Sequence, residues 1–287
     1  MKFKAYAKIN LSLDVTGKRD DGYHELRMIM HSVDLYDDID ININDSGDIT
    51  LKNNLSYLPC DRRNLAYRAA EVFFGATGIK NPGISISVFK RIPVCAGMAG
   101  GSSDAACVLR GLNELFNAGL SNEKLAVIGK QLGADVPYCV HGGTMLAEGI
   151  GEILTPLKPM PKAPIVIAKP PVNLSTPQVF KEVCLKNIKL HPDTNGMIKA
   201  LEEENLNGIC KRLYNVLEEP AHIVLNKNGY PDSVENLKNI MLDCGAAGTL
   251  MSGSGPTVFG IFYNTENAEE AHKKAKNFCE TCILTTT

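Results

Sequence analysis

Pro93-Val94-Cys95-Ala96-Gly97-Met98-Ala99-Gly100-Gly101-Ser102-Ser103, continuing into Asp104-Ala105-Ala106, is the stretch that decides how this chain is read. Four small residues, Gly97, Ala99, Gly100 and Gly101, precede two hydroxyl residues, and an apolar run with helical spacing follows over 105–115. Glycine admits positive φ and close backbone approach, so several N–H groups can converge on one anion. A helix starting there adds unpaired N–H donors and the positive end of its dipole. The pattern predicts a phosphate cradle over 93–103. It is not a P-loop, because no Gly-Lys-Ser/Thr closes it, and it lacks the G-x-G-x-x-G of a dinucleotide turn. The competing reading is an ordinary Gly-rich turn with serine N-caps. The length of the small-residue run feeding a helix favours the cradle.

Working outward, the 287 residues allow one large domain or two of ordinary size. An apolar share of 44% supplies enough side chains for a packed core. Net charge is −2 and no long Lys/Arg run occurs, which argues against nucleic acid as the main partner. The nine cysteines are odd in number and scattered, which speaks against a disulfide framework and for a reducing cytoplasm. Cys279-Glu-Thr-Cys282 has redox or zinc spacing, but no second pair accompanies it and it is read as incidental. Lys2, Lys4 and Lys8 interrupt the first apolar residues, so no signal peptide is expected. No apolar run approaches the ~18 residues of a membrane span.

Alternation over 5–15, 39–44 and 84–88 predicts half-buried antiparallel strands. Helices are expected over 64–74, 103–117 and from Ser121 to a stop at Gly133. Residues 144–148 and 152–155 form an expected hairpin around Gly149 and Gly151. Pro156, Pro159, Pro161 and Pro164 crowd nine residues and mark a domain boundary near 158, giving 1–158 and 159–287. Beyond it come a strand at 165–168 and a helix opened by Thr176-Pro177, with Thr176 as N-cap. Further helices are expected at 195–203, 205–217, 220–227, 233–242 and 266–278, with a strand pair around Gly253-Ser254-Gly255. Without strict β-α-β alternation, the fold class is α+β, two domains with mainly antiparallel sheets.

Lys8 sits inside an otherwise apolar first strand, Ala5-Tyr6-Ala7-Lys8-Ile9-Asn10. On the inner face it would need a carboxylate or phosphate neighbour; on the solvent face of an edge strand it would need nothing. Strand phase alone leaves both open. Asp135, in Leu132-Gly133-Ala134-Asp135-Val136-Pro137, stands on a rigid junction suited to a base, or is a turn aspartate bonding local backbone. Gly253-Ser254-Gly255-Pro256-Thr257 reads alone as a hairpin turn. Tyr23-His24 closes a polar loop and is able to stack on and hydrogen-bond a base, although surface Tyr-His pairs are common.

The loop at 93–106 resembles the central phosphate loop of the GHMP kinases, a superfamily that includes galactokinase, homoserine kinase and mevalonate kinase. The stretches at 5–28, 133–143, 147–157, 175–181 and 251–260 are similar, in the same order, to one branch of it that phosphorylates a cytidylyl-linked polyol on the way to isoprenoids. Met98 and Ala99 replace the Leu and Gly usual in the loop. The resemblance implies an N-terminal domain of the ribosomal-protein-S5-like kind, a ferredoxin-like C-terminal domain and an active site in the cleft between them. It implies Lys8 and Asp135 as the catalytic pair, residues 93–103 as the ATP site, and Asn10, Tyr23, His24, Thr176 and Phe180 as substrate contacts. ATP with Mg²⁺, the metal held by Ser103, is the implied co-substrate. A small-molecule cytidylyl substrate, no nucleic acid or membrane partner and a monomer or weak homodimer complete the expectation. Rival readings are another GHMP small-molecule kinase, of the mevalonate or homoserine class, and a metabolite sensor that has lost the chemistry.

Overall fold

A computed structural model describes residues 1–287 and resolves eleven strands and ten α-helices. The first strand, β1 (Lys2–Lys18), is longer than its loose alternation suggested. Ala5, Ala7, Ile9, Leu11, Leu13 and Val15 are buried on one face, while Lys8, Asn10, Ser12 and Asp14 are buried on the other. A strand covered on both faces does not display a clean hydrophobic period. The next strand, β2 (His24–Ile43), extends well before the alternating 39–44 segment, and within it Met28–His31 is buried on both faces.

The contacts group the chain into two compact units, neither contiguous in sequence. One comprises Met1–Ala7, Leu35–Val94 and Ala99–Gly142. In it the second half of β2 pairs antiparallel with β4 (Ile84–Phe89), Ile41 opposite Ile86, and β3 (Ile49–Asn53) runs parallel to β4. Its helices are α1 (Leu65–Thr77), α2 (Gly100–Leu115), α3 (Asn122–Lys130) and α4 (Val136–His141). α1 runs past the expected stop at Gly75 and ends at Gly78, whose φ of 70° closes the helix in the left-handed region. α2 starts three residues before the expected Ser103, so the glycines form its first turn. Asn64 and Ser121 cap α1 and α3 by accepting backbone N–H bonds.

The other unit comprises Lys8–Asp34, Cys95–Met98 and Gly143–Thr287. Here the first half of β2 pairs antiparallel with β5 (Thr144–Gly149), which forms the expected hairpin with β6 (Ile153–Pro156). The predicted helix over 205–217 is instead a five-residue α7 (Leu206–Cys210) followed by β8 (Tyr214–Asn215), which runs parallel to β1 with Ser12 opposite Tyr214. The remaining helices are α5 (Thr176–Lys181), α6 (Thr194–Glu202), α8 (Glu218–Lys227), α9 (Ser233–Asp243) and α10 (Thr265–Ala275). β7 (Pro164–Lys169), β9 (Gly248–Met251), β10 (Val258–Ile261) and β11 (Thr281–Thr286) build an antiparallel sheet in the order β11-β7-β10-β9. With α9 before β9 and α10 between β10 and β11, this is a β-α-β-β-α-β arrangement of ferredoxin-like kind. The strand β11 was not foreseen. No helix or strand occupies the proline-rich residues 157–163. All nine cysteines are free thiols, and no helix is long and apolar enough to cross a membrane.

Candidate active site

The small-residue loop leads straight into α2. Ser103 N donates to Ala99 O at 2.8 Å as the first intrahelical bond, so the amides of Gly100, Gly101 and Ser102 precede the ladder. Those donors and the helix dipole are what an anion would meet. Ala99 itself has φ 56° and ψ 26°. The residue that replaces the family's usual glycine therefore sits where a Cβ costs about 1 kcal/mol. Cys95 shares this left-handed backbone, with φ 53°. Ser103 is buried and its hydroxyl donates to Tyr6 O at 2.7 Å.

Beneath the loop's two ends lies a buried charge cluster that sequence reading missed. Lys90 Nζ donates to Asp104 Oδ2 at 2.7 Å and to Asp37 Oδ2. Asp37 Oδ1 accepts the backbone N–H groups of Arg91 and of Ile92, the latter at 2.8 Å. Burial alone would lower the Lys90 pKa, but the Asp104 and Asp37 carboxylates outweigh it and hold the ammonium above its ordinary value. Burial pushes the Asp104 carboxyl up to about 8 against the pull of Lys90. No periodicity rule singles out a Lys before a loop and an Asp after it.

Lys8 belongs to the unit that contains residues 95–98. It is on the inner face of β1, which resolves the phase left open by the sequence, and is only 4% exposed. Its Nζ donates to Asn10 Oδ1 at 2.6 Å and to Gly97 O at 2.8 Å, while its backbone N donates to Met98 O. Ser252 Oγ donates to the same Gly97 oxygen at 3.0 Å. Gly253 passes so close that a Cβ there would lie 3.2 Å from Lys8 Nζ. Asn215, fully enclosed, donates to both Met251 O and Gly253 O at 2.8 Å and fixes this loop from behind. The segment expected to be a mere hairpin turn therefore walls the lysine. Asn10 Nδ2 also contacts Met28 Sδ.

In the same unit the His24 and Phe180 rings lie 5.3 Å apart at 32°. Burial, with Lys18 nearby, lowers the His24 pKa. Tyr23 is exposed. Thr176 Oγ1 is 2.8 Å from Ser254 Oγ, linking the start of α5 to the loop beside Lys8. Thr176 is the first helical residue rather than the N-cap, a position taken by Ser175. Asp135, in the other unit, is half-buried at the N-cap of α4 and its side chain makes no capping bond, which counters the simple turn reading.

Residues 64–143 match the GHMP kinases N terminal domain and residues 197–281 the GHMP kinases C terminal domain. The chain belongs to the GHMP kinases. Within that class it is similar along its whole length to 4-diphosphocytidyl-2-C-methyl-D-erythritol kinases. It is 50% identical to the one from Caldicellulosiruptor bescii over 287 residues, covering 100% of this chain and 98% of that protein. It is 48% identical to the one from Clostridium perfringens over 276 residues, covering 96% and 93%. A crystal structure of 4-(cytidine 5'-diphospho)-2C-methyl-D-erythritol kinase superposes with a TM-score of 0.82 at 33% identity, covering 100% of this chain and 98% of that one. The homoserine kinase of Cytophaga hutchinsonii, at 18% identity and TM-score 0.74, with 100% and 94% covered, shares the fold.

Proposed function

We infer that this chain transfers the γ-phosphoryl group of ATP to the 2-hydroxyl of 4-diphosphocytidyl-2-C-methyl-D-erythritol, in the non-mevalonate route to isopentenyl diphosphate. GHMP kinases use ATP as co-substrate, and the relatives similar along the full length carry this substrate in their names. One observation carries the chemical reading: a buried ammonium, Lys8, donates to the backbone of the small-residue loop at Gly97. A lysine enclosed there offers charge where a phosphoryl group gathers it.

In the proposed reaction the 2-hydroxyl oxygen bonds to the γ-phosphorus as the bond from phosphorus to the ADP oxygen breaks. Asp135 accepts the hydroxyl proton, and Lys8 stabilises charge on the oxygen and the phosphoryl group in passage. General-base help of this kind is worth ~10²–10⁴-fold. Residues 93–103 hold the nucleotide phosphates through loop and helix amides. His24 and Phe180 hold the cytosine together with Tyr23, and Asn10 and Thr176 line the polyol end.

A bound Mg²⁺ would supply charge neutralisation to the nucleotide phosphates. No group of three or more His, Cys, Asp or Glu residues is placed to hold a metal. This suits an ion carried by phosphates and water with few protein ligands. Ser103, whose proton goes to Tyr6 O, keeps oxygen lone pairs for one such bond. A cytoplasmic monomer or weak homodimer, free of nucleic acid, and a sequence division near residue 158 belong to the same proposal.

A substrate panel tests the assignment. Purified protein with Mg-ATP should release ADP with the cytidylyl substrate and not with mevalonate or homoserine. ADP release with either control instead would transfer the chain to another branch of the family, and none with any acceptor would favour a sensor.

A further inference from the structure

We propose that Asp37, Lys90 and Asp104 form a clasp that sets the separation of the two ends of the small-residue loop, making Lys90 a positioning residue for the nucleotide phosphates. The inference rests on the reading that residues 93–103 hold those phosphates. Lys90 comes three residues before Pro93, and Asp104 follows Ser103 directly, so the ammonium joins the segment entering the loop to the helix leaving it. Asp37, from β2, completes the join by accepting the ammonium and the N–H groups of Arg91 and Ile92. Lys90 N in turn donates to Asn54 Oδ1 at 2.7 Å, so both ends of this residue are held. The ammonium lies directly under the first residue of α2: a Cβ on Gly100 would be 3.3 Å from Lys90 Nζ.

Stability does not account for the cluster. The three side chains are at most 7% exposed, and burying charges costs several kcal/mol per ion before their attraction offsets it. Well-packed apolar residues often serve equally well or better in such places. Attraction for the nucleotide does not account for it either, since the ammonium is enclosed and its bonds are directed to Asp37 and Asp104. What the cluster supplies is direction. Bonds from Asp37 on the strand and Asp104 at the helix start converge on the Lys90 nitrogen. The loop-entrance amides of Arg91 and Ile92 join them through Asp37 Oδ1, and together they leave the loop little latitude. Phosphoryl transfer depends on such positioning, and displacements near 1 Å cost about 10²-fold in well-studied enzymes.

The test compares steady-state kinetics of the full chain and Lys90→Met. The KM for ATP should rise about tenfold or more while the KM for the cytidylyl substrate stays within about twofold. General loosening of the fold would not separate the two substrates in this way. Should Lys90→Met not fold, Asp104→Ala, which removes the acceptor at the helix start, carries the same test with a smaller rise in the ATP KM. An unchanged ATP KM in a folded variant, or equal rises for both substrates, overturns the clasp. If the wild-type chain shows no ATP-dependent turnover at all, the phosphate-loop reading fails, and the clasp with it.

Discussion

Lys8 Nζ lies 2.8 Å from the carbonyl oxygen of Gly97, so the ammonium of the first strand is bound to the backbone of the small-residue loop. Ser252 reaches the same oxygen, and Asn215 holds the Ser252 loop through Met251 O and Gly253 O. Removing the amide in Asn215→Ala leaves two buried carbonyls without a donor, at a cost of ~1–3 kcal/mol each. The variant should lose stability in urea titration and kcat together. Wild-type kcat in a variant shown to be less stable would detach this loop from Lys8 function.

The loop's backbone gives an opposed pair of outcomes. A methyl group at Gly97, where φ is 70°, would overlap Ser252 O, so Gly97→Ala should lower Tm and weaken ATP binding. Ala99 already tolerates a left-handed conformation, and Ala99→Gly should raise stability at most by about 1 kcal/mol, the relief being opposed by greater unfolded-chain entropy. Calorimetry on the two variants reads both signs. Tolerance of Gly97→Ala with unchanged ATP affinity would contradict the tight contact described here.

How much of this was legible in the sequence depends on what surrounds each residue. The cradle was legible because glycine, serine and an apolar helix occur consecutively, and local geometry follows from local sequence. Lys8 was half legible. Its residue type was out of place in an apolar strand, but alternation fails in β1 because both faces are buried. The Asp37–Lys90–Asp104 cluster was not legible, since it joins positions 53 and 14 residues apart that carry no shared period. β8 was read as helix because two residues next to a short helix cannot express a period of two, and pairing with β1 decides their state. β11 was missed because its alternation is blurred by intermediate burial along most of its length. Asp135 and the base-holding residues acquire roles only through family resemblance.

Phe180 is half-buried, and its ring lies against His24. If it stacks on the cytosine, Phe180→Ala should raise the KM for the cytidylyl substrate by roughly 5- to 150-fold, the equivalent of ~1–3 kcal/mol of stacking. The KM for ATP should be unaffected. An unchanged cytidylyl KM in a folded variant would assign Phe180 to packing alone.

His31 supplies a pH dependence. Its Nδ1 lies 2.7 Å from Thr144 Oγ1, its Nε2 has no partner, and burial pushes the imidazole down to about 4. Between its ordinary value of 6.5 and about 4, the unfolded chain takes up a proton that the folded protein refuses. Stability is therefore complete above pH ~6.5 and falls as pH drops toward 4, by roughly 3 kcal/mol in all. Urea titrations from pH 7 to 4.5 should show this slope, flattened in His31→Gln. Parallel slopes for both proteins would remove His31 as the cause.

The most direct measurement follows phosphorus itself. With Mg-ATP and 4-diphosphocytidyl-2-C-methyl-D-erythritol, ³¹P NMR should show ADP and one new phosphomonoester in equal amounts, the ester correlated to the carbon bearing the 2-hydroxyl. Asp135→Asn should slow its appearance by ~10²-fold or more while an ATP analogue still binds. ADP formed without that ester, an ester at another position, or wild-type turnover from Asp135→Asn would contradict the account.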